Sequence, residues 1–320
     1  MSEKIISPCI SICKTDPLTG YCYGCARTDN EKKLWKNEET TRQWKIKNLD
    51  EIRSRMKGWQ LDTFNESYNH KVKKGISLFK EKLLNGQRTL TLMGVANPDQ
   101  VDQLGPLDFD GIWLEAEHGP VDFADISDIT RACDLWGKTS ITRVHQNEPG
   151  VIYRTLDRGS QGICVPHINS AEEARRVVDA AKFAPIGNRG LSTSRQGYGV
   201  NNYHQESNDK SLVIVLIEDI IAVQNLDEIL EVDEIDVFFV APNDLAATMG
   251  YIGKSDHKDV QDTIENTLKR IVSSGRTAGT LTTMSALDKF LDIGVNCICV
   301  NIGPFINEGV ISASKKVYSK

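Results

Sequence analysis

From Ser77 onward, short runs of β-branched and aromatic residues alternate with stretches whose apolar positions recur every three or four residues. The runs are TLTLMGV (89 to 95), GIWLEA (111 to 116), SITRV (140 to 144), GICVP (162 to 166), LVIVLI (212 to 217), DVFFVA (236 to 241), TAGTLT (277 to 282) and CICVNI (297 to 302). Runs this short and apolar, bounded by turn formers, predict strands buried on both faces. Between them, SAEEARRVVDAAK (170 to 182) shows the helical logic: Ala171, Ala174, Val177, Val178 and Ala181 form one stripe, and Ser170 with Glu173 makes a capping box. Eight strands separated by helices in about 240 residues predict a parallel sheet closed into a TIM (β/α)8 barrel. No Gly-rich dinucleotide fingerprint follows the first strand, which weakens an open doubly wound sheet.

The front of the chain has another texture. Residues 1 to 57 hold four cysteines and then a charged helical stretch from Glu31 to Met56, anchored by Trp35, Trp44, Leu49 and Ile52. A unit so poor in apolar residues is expected to need a metal or a docking surface to stay folded. Residues 58 to 76 are polar and irregular and read as a linker, so the expected division is 1–57, a linker over 58–76, and a barrel over 77–320.

Cys9, Cys13, Cys22 and Cys25 are spaced C-x3-C-x8-C-x2-C, enough soft thiolates to close a Zn²⁺ site or hold an Fe-S cluster. Cys133, Cys164, Cys297 and Cys299 lie in apolar surroundings and read as core residues. The start, MSEKIISPCISICK, lacks the apolar region of a secretory signal, and no run of about 18 apolar residues exists, so a cytoplasmic protein without a membrane span is expected. The net charge of -6 is uneven, with 15 Lys and Arg against 10 Asp and Glu in residues 1 to 75 and an acidic remainder. That balance requires no nucleic-acid partner, although the front keeps a binding role open.

Polar residues collect where the strands end, which in a barrel is the catalytic face. Glu115, Glu117 and His118 follow the second strand, Arg143 ends the third, Glu218 and Asp219 the fifth, and Asp244 follows the sixth in APND. Glu218 and Asp244 offer two hard oxygens to Mg²⁺ or Mn²⁺, and a 2-oxo acid chelates such an ion through its carboxylate and keto oxygen. Arg143 can stabilise charge growing on the keto oxygen, and His118, positioned by Glu115, suits proton transfer near neutral pH. Glu117 is expected to be structural. Taken singly, each residue has an ordinary reading: Asn243 or Asp244 could cap the helix DLAATMG, Arg143 could be a simple ion-pair partner, and the EH pair could be solvated. Their co-location on four strand ends favours the chemical reading.

These residues carry a resemblance. FKEKLLNGQRTLTLMGVANPDQVDQLG, EAEHGP, TRV, LDRGSQGICVPHINSAEEA, FAPIGNRGLSTSR, IEDIIAVQNLDEIL, VFFVAPNDLAATMGYIGKSDH and ICVNIG, taken in order, resemble the class II, metal-dependent 2-oxo-acid aldolases of the HpcH/HpaI group, relatives of the citrate-lyase β-subunit and malyl-CoA lyases. The resemblance implies a barrel that is usually hexameric, with its last helix exchanged between subunits. It implies Glu218 and Asp244 as ligands of Mg²⁺, Mn²⁺ or Co²⁺, Arg143 as the enolate-stabilising arginine and His118 as the acid/base. The backbone around Ala241, Pro242 and Asn243 would bind the pyruvate carboxylate, and Arg189 would lie near the mouth, its own or a neighbour's. Three positions depart from the pattern: Glu115 where an Asp is typical, Leu216 where a Gln is usual, and Ala241 in place of Gly. The front unit resembles a short bacterial four-cysteine domain of unknown function.

The expected activity is reversible cleavage of a 4-hydroxy-2-oxo acid to pyruvate or a related 2-oxo acid and an aldehyde, without a Schiff-base lysine. A citramalyl- or malyl-CoA-type lyase is the alternative enzyme, and a degenerate barrel serving an N-terminal binding module is the non-enzymatic one.

Overall fold

The structure is a computed structural model that describes residues 7–9, 12, 14–37, 39–73, 78–200 and 202–319. The chain divides into two compact units, residues 1–76 and 77–320.

The first unit is built on three helices, Asp29–Lys36, Arg42–Ser54 and Trp59–Lys73. The single helical stretch expected from Glu31 to Met56 is broken between Lys36 and Arg42. Asn37 closes one helix, and the Thr41 side chain caps the next by accepting the Trp44 amide. The segment expected to be an irregular linker is the third helix. Its Phe64 and Tyr68 rings stack at 5.5 Å and pack with Ile52, Met56, Cys22 and Cys25. Its polar composition hid this, because two aromatic residues four apart suffice to bury one face of a short helix.

A buried polar network joins the first two helices. Glu31 completes a capping box with Thr28 and takes both Arg55 Nη1 (2.8 Å) and Nη2 (3.0 Å). Asn48 donates to Glu31 while accepting the Trp35 indole N–H at 2.7 Å. Burial opposes the Glu31 charge, but Arg55, the Thr28 amide and Asn48 outweigh it and hold the carboxyl down at about 2.

The second unit is a closed parallel barrel. Its strands are β1 (Thr89–Met93), β2 (Gly111–Glu115), β3 (Thr139–Arg143), β4 (Gly162–Val165), β5 (Leu212–Ile217), β6 (Val237–Val240), β7 (Ala278–Thr282) and β8 (Cys297–Asn301). Each pairs with the next and β8 pairs with β1, so all eight expected strands are present in the expected closed order. Alternation sorts the side chains. Trp113, Ile141, Cys164, Ile214, Leu216, Phe239 and Cys299 fill the interior, while Ile112, Leu114, Val213, Val215, Phe238 and Val240 join the cluster beneath the outer helices. Phe79 and Leu83, from the helix Leu78–Leu84 that precedes β1, join the interior cluster.

The helix Ala171–Ala181 has its predicted stripe, but only half of its predicted capping box. Ser170 Oγ accepts the Glu173 amide at 3.2 Å, whereas Glu173 Oε2 accepts from the Asn169 amide at 2.7 Å, one residue before the cap. The box is displaced because Asn169 belongs to the network that holds the site. Among the described residues no helix is long and apolar enough to cross a membrane.

The Glu31 network makes a pH prediction. Because folding lowers this carboxyl from 4.5 to about 2, its stabilisation is full above the higher value and lost as pH falls toward the lower one. Glu31→Gln should destabilise the helices 29–36 and 42–54 at pH 7 by about 1–2 kcal/mol. Amide hydrogen exchange on the full chain would show faster opening than in wild type, with the difference shrinking as pH drops through that window.

Candidate active site

β2 and β3 pair with Glu115 beside Arg143 at their C-terminal ends. The guanidinium is largely buried there, so it must find anionic partners. Its Nε lies 2.9 and 2.8 Å from the two oxygens of Glu115, and its Nη1 is 3.1 Å from Glu117 Oε2. Burial works against the arginine's charge, but the two carboxylates outweigh it and raise its pKa. Nη2 makes no hydrogen bond among the described residues, which leaves one donor edge for a ligand.

Glu115 is heavily occupied. Besides Arg143 it accepts the Glu117 amide (3.0 Å), the His118 amide (3.1 Å) and the Trp113 indole (3.3 Å). The expected Glu115–imidazole pair is therefore not formed. Glu115 bonds the His118 backbone, because a carboxylate three residues back folds over the turn onto its amides. The imidazole itself is two-thirds exposed at the rim, with Glu117 Oε2 as its nearest carboxylate at 3.9 Å. Burial pushes the Glu117 carboxyl up, against the pull of Arg143.

Glu218 follows β5 and is nearly inaccessible, at 1% relative exposure. Its Oε1 accepts the His167 amide at 2.8 Å, while Oε2 is buried without a hydrogen-bond partner. Burial raises its carboxyl to about 7; the His167 amide and ring pull it down and Asp244 pushes it further up. Asp244 lies in the helix Pro242–Thr248, whose N-cap is Ala241, so neither Asn243 nor Asp244 caps a helix as the ordinary reading had it. Proline starts that helix two residues earlier than DLAATMG suggests. Ala241 supplies no capping side chain and spends its own amide on Ile217 O at 3.4 Å.

An orphaned carboxylate oxygen beside a second carboxylate fits a divalent cation, which prefers hard oxygen donors. Among the described residues no three His, Cys, Asp or Glu groups converge closely enough to cage an ion. The protein thus offers the two carboxylates Glu218 and Asp244, with other positions left to water or substrate.

His167 went unnoticed in the sequence, although it follows β4 as the other polar residues follow their strands. Its φ of +54° is unusual for a side-chain-bearing residue, and it aims the amide at Glu218. The ring Nδ1 lies 3.0 Å from Asp219 Oδ2, which also accepts from Asn169 Nδ2 at 2.9 Å. Burial opposes a charged ring, but Asp219 and Glu218 outweigh it and raise the His167 pKa. The floor beneath is apolar: Leu216 lies in the interior cluster with Trp113 and Phe239, whose rings are 5.0 Å apart.

Arg189 is not brought to this mouth. It is buried, with Nη2 on Asp157 at 2.7 Å and its ring neighbour Phe183 at 4.5 Å. Asp157 ends the helix Pro149–Asp157, which starts near the mouth after β3 and runs to the opposite face, so the pair sits at the N-terminal end of the strands. In the first unit Cys22 and Cys25 are buried, Cys25 Sγ accepts Arg27 Nε at 3.1 Å, and Cys22 Sγ contacts Ile12 O at 3.0 Å. Cys9 is partly exposed, and Cys13 lies outside the described residues.

Residues 88–298 match the model of the HpcH/HpaI aldolase/citrate lyase family. The chain belongs to this family. It is 34% identical over 248 residues to a hydroxypyruvate/pyruvate aldolase of Roseobacter denitrificans, covering 75% of this chain and 97% of the relative. It is 33% identical to a 4-hydroxy-2-oxo-heptane-1,7-dioate aldolase of Salmonella heidelberg, covering 70% and 88%. The fold matches a crystal structure of an HpcH/HpaI family protein from Burkholderia cenocepacia with TM-score 0.72 at 24% identity, over 75% of this chain and 99% of that one. Residues 7–56 match a family of unknown function, DUF1289. The barrel is accordingly a carbon–carbon lyase of a divalent-metal-dependent family.

A buried carboxyl raised from 4.5 to about 7 costs stability as pH climbs through that window, because the folded form holds a proton that the unfolded form releases. Glu218→Gln should therefore stabilise the metal-free barrel at pH 7.5, by about 1–3 kcal/mol, while abolishing its response to Mn²⁺. Thermal unfolding in EDTA and then in Mn²⁺ reads both effects; an unchanged or lower melting point in EDTA contradicts the assignment.

Proposed function

We propose that the barrel cleaves, and in reverse forms, a 4-hydroxy-2-oxo acid, giving pyruvate or a related 2-oxo acid and an aldehyde. The observation that carries this reading is the convergence of Glu218, Asp244, Arg143 and His118 at the C-terminal ends of β5, β6, β3 and β2 in one mouth. A divalent ion held by Glu218 and Asp244, Mg²⁺, Mn²⁺ or Co²⁺, supplies Lewis acidity toward the 2-oxo group.

The remaining work falls to the chain. Arg143 Nη2 donates to the keto oxygen, where negative charge grows as the C3–C4 bond breaks. His118 takes the proton of the C4 hydroxyl as the aldehyde forms and returns a proton to C3, completing pyruvate. The first-turn amides after Ala241 and Pro242, with Asn243, receive the substrate carboxylate, since a helix start concentrates unpaired N–H groups. The half-buried Glu115 and Glu117 keep Arg143 from swinging into water.

The same reading extends to assembly. The helix Ile302–Tyr318 exposes Phe305, Ile306, Val310, Ile311, Val317 and Tyr318, which supports association of copies through this helix into the hexamer that the family resemblance implies. In the first unit, the cysteine spacing and the buried Cys22, Cys25 and Arg27 support a Zn²⁺ or Fe-S site completed by Cys9 and Cys13.

With a 4-hydroxy-2-oxo acid as substrate, EDTA should abolish cleavage and Mn²⁺ should restore it. Borohydride added during turnover should leave no covalent adduct on the protein. Arg143→Lys should lower kcat/KM by on the order of a hundredfold or more, as loss of a donor to a developing oxyanion does. Cleavage that survives exhaustive chelation, measured by coupled pyruvate release, contradicts the reading.

A further inference from the structure

Two carboxylates leave the end of β2, and the structure gives them different partners. Glu115 Oε1 accepts from the Glu117 amide, the His118 amide and Arg143 Nε, and Oε2 accepts from the Trp113 indole and Arg143 Nε. A carboxylate has about four lone-pair directions, so five contacts leave none for another donor. The extra methylene of Glu over Asp lets this group reach across to β3 and lie against Arg143 Nε with both oxygens.

Glu117 is in the opposite condition. Its Oε2 is buried and makes no hydrogen bond, yet it lies 3.9 Å from His118 Nε2 and 3.1 Å from Arg143 Nη1. Among the described residues no other carboxylate lies within salt-bridge distance of the His118 ring. That ring is 67% exposed, so a small rotation converts the 3.9 Å approach into a hydrogen bond.

We propose that Glu117 is the positioning residue for His118, and that Glu115 has become the clamp on Arg143. The assignment rests on the aldolase reading of the mouth. A carboxylate against one imidazole nitrogen fixes the ring's tautomer and orientation and stabilises the imidazolium formed when the ring accepts a proton. Glu117 can serve both partners, because Arg143 Nη1 and His118 Nε2 approach the same oxygen. Proton transfer by His118 is thereby tied to the arginine that receives the developing charge.

The test uses the full chain and three variants, Glu117→Gln, Glu117→Asp and Glu115→Gln. Exchange of the pyruvate C3 protons for deuterium, followed by NMR with Mn²⁺ present, isolates the proton step from aldehyde binding. Glu117→Gln should lower kcat for exchange tenfold or more, part of the hundredfold or more that a positioned proton-transfer group supplies, with KM for pyruvate changed little. Glu117→Asp should recover part of that loss. Glu115→Gln should raise KM for pyruvate, because it loosens Arg143, and should lower kcat less than Glu117→Gln does. In the metal-free protein, the His118 ring-nitrogen signals in 1H–15N spectra should move further in Glu117→Gln than in Glu115→Gln, which disturbs only the turn beneath the ring. The proposal is overturned if the kcat loss belongs to Glu115→Gln, if both variants lose kcat equally, or if Glu117→Gln leaves the ring signals unmoved. A wild-type protein that exchanges and cleaves nothing with Mn²⁺ sinks the aldolase reading instead, and the ring spectra still report on the Glu117 contact.

Discussion

The mouth of the barrel is organised by one buried guanidinium. Arg143 cannot stand alone in a poorly solvated site, and it draws Glu115 and Glu117 onto itself from the neighbouring strand end. That demand fixes the turn after β2, because Glu115 also holds the amides of residues 117 and 118. It thereby sets where His118 leaves the backbone. Position and chemistry have the same origin: the charge proposed to stabilise an oxyanion also shapes the loop carrying the proposed proton-transfer group.

Across the barrel the opposite condition holds. Glu218 is buried with its second oxygen free of any hydrogen bond, and the His167 amide and the Asp219–Asn169 network fix its position. The left-handed backbone at His167 belongs to that arrangement. One half of the mouth carries a positive charge with a surplus of carboxylate, and the other half carries carboxylates short of positive charge. On the proposed reading, a chelating 2-oxo acid and a divalent ion would complete both, with Arg143 available to the acid and Glu218 and Asp244 to the ion.

Much of this was legible in the sequence. The strands were, because burial on both faces leaves unbroken apolar runs whose length separates them from helices. The gathering of Glu115, Arg143, Glu218 and Asp244 where the strands end was, because polar groups at the ends of such runs have few other reasons to be there. Partner choice was not. Glu115 was expected on the imidazole, but spacing along a turn does not reveal that the amides of 117 and 118 and a guanidinium on the next strand compete for the same two oxygens. That Arg189 lies away from the mouth of its own barrel was not legible either, because the GNRG turn carries no mark of which end it occupies, and only its pairing with Asp157 reveals it. The third helix of the first unit was missed because polar residues outnumber the two rings that bury it.

The most direct measurement of the account is a crystal structure of the full chain with Mn²⁺ and pyruvate. The account predicts one ion bound by Glu218 Oε2 and Asp244, chelated by the pyruvate carboxylate and keto oxygens, with Arg143 Nη2 on the keto oxygen and Glu115 still on Nε. An ion bound elsewhere, or a pyruvate whose keto oxygen faces away from Arg143, would contradict it.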